Sequence, residues 1–138
     1  MVRVTLRVIL GLSLVAGGVA VAAPAVAAPA VAAGSSGSLT EIKLEVVPQQ
    51  SGQPRFATLT CDPVGGTHKN AKAACAELAL VNGDITKVPP QTAGCLQVWI
   101  PVDAAAAGTW QGVPIKPFSR TITNDGCARI AYGHVFDF

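Results

Sequence analysis

The chain has 138 residues, half of them hydrophobic, with four cysteines and a formal net charge of +2. That leaves room for one domain behind any leader. The positive balance belongs to Arg3 and Arg7: beyond them, eight Lys and Arg face eight Asp and Glu. No basic stripe remains to hold phosphates, so a nucleic-acid partner is not supported.

Taken in chain order, the first element is a leader. Arg3 and Arg7 precede an almost wholly apolar run from Val8 to Ala23, and three Ala-Val-Ala triplets ending at Ala22, Ala27 and Ala32 offer cleavage points. The run is short and rich in Ala and Gly, and Pro24 and Pro29 interrupt it, which argues against a membrane anchor. The expectation is a signal peptide and leader over residues 1–32, a domain over 33–138, and a secreted product with no membrane partner once the leader is gone.

From Leu39 the pattern changes. Ile42, Leu44 and Val46 alternate with Glu41, Lys43 and Glu45, the signature of a half-buried strand. Pro48–Pro54 is a turn or loop, and strand resumes over Phe56–Cys61. After Asp-Pro-Val-Gly-Gly, Asn70–Val81 reads as a helix with Ala71, Ala74, Cys75 and Leu78 on one face, Asn70 as its N-cap and Gly83 as its stop. Lys87–Gly94 carries Pro89-Pro90 and cannot be regular structure. Cys95–Val102 is extended and apolar, and composition alone favours an ordinary core strand there. Further strands are punctuated by Trp110-Gln111-Gly112 and Lys116-Pro117-Phe118, and Arg129–Phe138 reads as a β-rich close. The sum is an α+β domain, an antiparallel sheet with a helix on one face.

The cysteines stand at 61, 75, 95 and 127 with no Cys-x-x-Cys among them, a poor fit to a zinc site. Behind an export signal they read as two disulfides, in any of three connectivities. Catalytic residues are not expected. His68 sits in a Gly-Gly-Thr-His turn, as a surface or hydrogen-bonding histidine, and His134 in the terminal run is structural. No nucleophile elbow, metalloprotease motif or acid–base pair of carboxylates accompanies them, so a small hydrolase has nothing to rest on. No cofactor and no metal is implied.

Several short pieces carry a resemblance: Thr58-Leu59-Thr60-Cys61, Gly66-Thr67-His68, Ala73-Ala74-Cys75-Ala76-Glu77-Leu78, Gly83-Asp84, Trp110-Gln111-Gly112, the lone Cys127, and Val135-Phe136-Asp137-Phe138. In order and spacing, from about Leu39 to Phe138, the chain resembles the Streptomyces-type subtilisin inhibitor family. The resemblance implies bridges Cys61–Cys75 and Cys95–Cys127. It implies a two-layer sandwich of a five-stranded antiparallel sheet and two helices, and a homodimer. It also implies a secreted inhibitor of serine proteases, mainly subtilisin-like.

The family's reactive bond lies two residues after the third cysteine, which here falls between Gln97 and Val98, within a loop that includes Gly94, Cys95, Leu96, Trp99 and Ile100. Gln97 is then P1, the side chain that enters the protease's S1 pocket. Three positions depart from the family pattern: Gln97 stands where Met or Lys is common, Leu96 replaces a frequent Pro, and Gly94 leaves P4 without a side chain. The alternative is a non-inhibitory extracellular protein on the same scaffold, with Gln49, Gln50 and Gln53 as acyl donors for a crosslinking enzyme.

Overall fold

In the computed structural model, which describes residues 37–138, the alternation of Ile42, Leu44 and Val46 becomes strand β1 (Glu41–Pro48), with these three side chains buried and Glu41, Lys43 and Glu45 exposed. The leader expected over 1–32, and residues 33–36, lie outside the described residues. β1 is central. It pairs antiparallel with β2 (Arg55–Cys61) on one side and with the long β4 (Val102–Trp110) on the other. Between β2 and β4 come a short edge strand β3 (Val64–Gly66), which pairs with β2, and helix α1 (Ala71–Leu80).

β4 is flanked on its far edge by two short strands end to end, β5 (Val113–Pro114) and β6 (Phe118–Ile122). The sheet is therefore six strands arranged five wide, all antiparallel. Gln111 and Gly112 form the two-residue turn between β4 and β5, with φ of 49° and 80°. Positive φ at both positions is what a tight hairpin of this twist requires, and glycine supplies one of them without strain.

In register, Leu44 lies between Ala57 and Ala106, so one large side chain fills the space left by two small ones. α1 buries Ala71, Ala74, Cys75 and Leu78 at helical spacing and packs on β2 and β3. Asn70 stands at its N-cap position but makes no cap with its side chain. Its amide nitrogen instead donates to the Asp137 backbone and carboxylate, at 2.9 and 2.7 Å, and so ties the helix start to the chain's end.

The β-rich close expected over Arg129–Phe138 is not what forms. A second helix, α2 (Asp125–Ala131), takes up its first three residues, and only Tyr132–His134 (β7) is strand. Asn124 starts α2 by accepting the Cys127 N–H on its side-chain oxygen at 2.9 Å. Phe136 then folds back with no exposure, against Phe118 and Tyr132 at ring-centroid distances of 5.3 and 6.0 Å.

Two disulfides close the structure. Cys61–Cys75 pins α1 to the end of β2, and Cys95–Cys127 ties the segment before β4 to α2. With partners 14 and 32 residues apart in sequence, loop-closure entropy makes each bridge worth about 3–4 kcal/mol. That is a large share of the stability of a domain this size.

Candidate functional site

The segment from Pro89 to Pro101 belongs to no strand or helix. Its hydrophobic side chains face water: Leu96 is 81% exposed, Trp99 67%, Val98 53% and Ile100 47%. The core strand that composition favours is thus overturned. The last pair between β1 and β4 is Pro48 with Val102, after which β1 turns away into the loop at 49–54. With no partner strand, and with Pro101 lacking a donor, the apolar run leaves the sheet. A contiguous exposed apolar stretch of this kind marks an interaction site.

Exposure here does not mean slack. α2 supports the centre of the segment through the Cys95–Cys127 bridge and through Asn124, whose side-chain nitrogen donates to the carbonyls of Leu96 at 2.7 Å and Val98 at 2.9 Å. Its oxygen is already taken by the Cys127 N–H, so every polar position of that amide is used. The exit arm is held as well. The Ile100 N–H donates to Thr123 O at 3.0 Å, and the Gln49 N–H donates to Pro101 O at 3.0 Å.

Gln49 is itself fixed by its side chain on Asp103 at 2.9 Å, and Thr121 donates to the same carboxylate at 2.6 Å. These bonds, Thr121 first and then Gln49, hold the Asp103 carboxyl below the usual range. Gln97 makes only loose contacts, with its amide nitrogen 3.4 Å from both the carbonyl and the sulfur of Cys95, and it is exposed. Gly94 is open: a Cβ built there meets nothing within 4 Å.

Behind α2 lies a charge cluster that the sequence did not reveal. Arg55 donates to Asp125 through two nitrogens, at 3.0 and 2.5 Å, and to Phe138 O, while its guanidinium lies 4.8 Å from the Phe138 ring centroid. Arg129 donates to the other Asp125 oxygen at 3.1 Å. Partial burial works against ionisation of Asp125, but Arg55 and then Arg129 outweigh it, and the carboxyl stays below its ordinary value. The cluster ties the first residue of α2 to β2 and to the end of the chain.

The histidines stand apart from the loop. His68 is buried rather than on the surface: its Nε2–H donates to Val135 O at 3.0 Å and its Nδ1 accepts from the Asn70 N–H at 3.1 Å, which assigns it a neutral ring. His134 is bound through its backbone N–H and Nδ1 to the Glu77 carboxylate, both at 2.6 Å. Among the described residues no cluster of His, Cys, Asp and Glu could hold a metal ion, and no helix is long and apolar enough to cross a membrane.

An exposed apolar peptide, bridged to a helix and held by its carbonyls, has the form of a segment presented to a peptide-binding cleft. The chain belongs to the subtilisin inhibitor-like family, whose model matches residues 33–124. The family is inhibitory rather than catalytic.

The chain is similar to a protease inhibitor, SIL-V5, of Streptomyces luteoverticillatus, with 37% identity over 91 residues, covering 64% of this chain and 83% of that one. It is also similar to a subtilisin inhibitor of Streptomyces violaceus, with 39% identity over 82 residues, 57% of this chain and 56% of that one. Among solved structures it resembles Streptomyces caespitosus sermetstatin, crystallised in complex with Bacillus licheniformis subtilisin. That match has a TM-score of 0.55 and 25% identity, and covers 71% of this chain and 97% of that one.

Proposed function

We propose that the protein is a secreted inhibitor of subtilisin-like serine proteases, made with a leader over residues 1–32 and acting as the domain 33–138. It offers Gly94–Ile100 to the protease as a substrate-like strand, with Gln97–Val98 as the bond at the protease's nucleophile. One observation carries this reading. Asn124 donates to the carbonyls of Leu96 and Val98, which belong to the peptide groups immediately before and after the Gln97–Val98 bond, within a segment bridged by Cys95–Cys127.

A flexible peptide is ordered at an entropic cost, cut and released. A segment already held in place by the bridge and by Asn124 avoids much of that cost, so binding is tight. If the bond is cut, the disulfide and Asn124 keep both new ends in place, and religation competes with release. The test is a titration: purified protein should abolish subtilisin activity at a stoichiometric ratio, and the slowly formed clipped product should begin at Val98. Loss of activity with cleavage elsewhere, or no inhibition, overturns the reading.

The homodimer is proposed to form through the solvent face of the sheet. Phe56 is 67% exposed there, separated by Lys43 and Glu45 of β1 from the small side chains of Ala105 and Ala107, along a groove of about 560 Å³. Sedimentation of Phe56→Glu against the unaltered protein tests this, a dimer being lost in the variant.

The non-inhibitory reading draws support from Gly94 alone, since subtilisin-like enzymes read P4 strongly. The crosslinking version of it is weakened at Gln49, whose amide is committed to Asp103.

A further inference from the structure

We propose that Gln91 is a positioning residue of the reactive loop: it caps the C-terminal end of α2 from outside the helix and thereby steadies Asn124 and Cys127. The proposal rests on the reading of Gln97–Val98 as the reactive bond.

α2 is seven residues long. A helix so short is unstable by itself, and its last carbonyls have no partners within the helix. Gln91 supplies them. Its backbone N–H donates to Ile130 O at 2.8 Å, and its side-chain nitrogen donates to Arg129 O at 3.1 Å and Gly133 O at 2.8 Å. Both side-chain donors are used, each on a carbonyl at or just past the end of α2. Pro89 and Pro90, without N–H groups, make Gln91 the first residue of the entry arm able to donate from its backbone.

The arm then runs four residues to Cys95, where the bridge fastens it to the middle of the same helix. Asn124 holds the loop from the helix's other end. Entry arm, bridge and carbonyl clamp thus share one short platform, braced at its C-terminal end by Gln91. If that brace is lost the last turn frays, and the looser platform lets the two sides of Gln97–Val98 separate once cut.

The experiment compares Gln91→Met, which keeps the length and removes both donors, with Gln91→Lys, which keeps a donor and adds a cation suited to a helix C-terminus. The readouts are the initial inhibition of subtilisin and the rate at which the bond between Gln97 and Val98 is cut, followed by mass spectrometry. Q91M is expected to inhibit at first nearly as the unaltered protein does, yet to be cut at least about tenfold faster, while Q91K is cut at close to the original rate.

Ile42→Val, a core change on β1 outside the loop and its bonds to Gln91 and Asn124, controls for stability. If it speeds cleavage as much as Q91M at a matched loss of Tm, the role is merely structural and the proposal fails. It fails equally if Q91M is cut at the original rate, or if Q91K behaves like Q91M. If the unaltered protein does not inhibit at all, the loop reading falls, and hydrogen exchange at the amides of Ile130 and Ala131 still decides the cap. Q91M should speed that exchange at least about tenfold and Q91K should not; equal exchange in both overturns it.

Discussion

Asn124 straddles Gln97: one side-chain nitrogen binds the carbonyl before it, on Leu96, at 2.7 Å and the carbonyl after it, on Val98, at 2.9 Å. The oxygen of the same amide caps α2 at the Cys127 N–H. Asn124→Asp separates the two roles, because Asp caps a helix as well as Asn but offers no donor at neutral pH. The variant should keep its Tm within a few degrees and yet be cut between Gln97 and Val98 at least about tenfold faster by subtilisin, a loss of roughly 1.4 kcal/mol of clamping. An unchanged cleavage rate would show that the Asn124 amide does not clamp the loop.

A second expectation concerns pH and His68. Burial lowers its pKa below the usual 6.5, against the opposing pull of the Val135 carbonyl and the Asp137 charge. Between that lowered value and 6.5 the unfolded chain binds more protons than the folded one, so stability rises with pH through the window. The contribution is fully present above pH 6.5 and is lost as the pH falls below it. A protonated ring would also set an N–H against the Asn70 N–H that Nδ1 now accepts. Urea midpoints measured from pH 7.5 down to pH 5 should decline in the unaltered protein, and much less in His68→Gln. Parallel curves would assign the decline to other groups.

Gly94 gives a third. It has no side chain to offer at P4, its φ is not positive, and nothing lies within 4 Å of a Cβ there. Gly94→Met therefore fits without strain and supplies an apolar group to the S4 pocket. Burying such a side chain is worth about 1.5–3 kcal/mol, so the inhibition constant for subtilisin should fall by about tenfold to a hundredfold with Tm unchanged. No gain would place Gly94 outside the protease contact.

How much of this was legible in the sequence depends on whether a local pattern carried it. The alternation of Ile42, Leu44 and Val46 and the helical spacing of Ala71, Ala74, Cys75 and Leu78 each name an element and its buried face, and both stand in the structure. The resemblance implies a second helix, but the local pattern does not place α2, because Gly126 weakens it while Ile130, Tyr132, Val135 and Phe136 favour strand. Its stability comes from partners distant in sequence: Gln91, Arg55, Cys95 and the loop carbonyls bound by Asn124. The apolar run Leu96–Ile100 announced hydrophobicity but not which side of the surface it lies on. That is decided by where β1 stops pairing, at Pro48. Asn124 leaves one local mark in the sequence, an Asn three residues before Cys127 in the position of an N-cap.

The last expectation tests the assignment of Gln97 itself. Its side chain is exposed and bound only loosely to Cys95, at 3.4 Å, so it is free to swing into an S1 pocket. A subtilisin-like pocket accepts a neutral side chain of this size. Trypsin's pocket holds a buried carboxylate, and Gln97 would reach toward it without a positive charge, leaving it unpaired. The unaltered protein should therefore inhibit subtilisin and inhibit trypsin poorly. Gln97→Lys supplies the missing partner in a desolvated site, where one matched charge changes affinity by about 2–5 kcal/mol. Trypsin inhibition should rise by at least about tenfold, while subtilisin inhibition changes far less. Gln111→Lys is the control: Gln111 lies in the β4–β5 turn, exposed and outside the loop, and the change there should leave both enzymes as they were. If the two substitutions act alike, or Gln97→Lys does nothing for trypsin, the reactive bond is not Gln97–Val98.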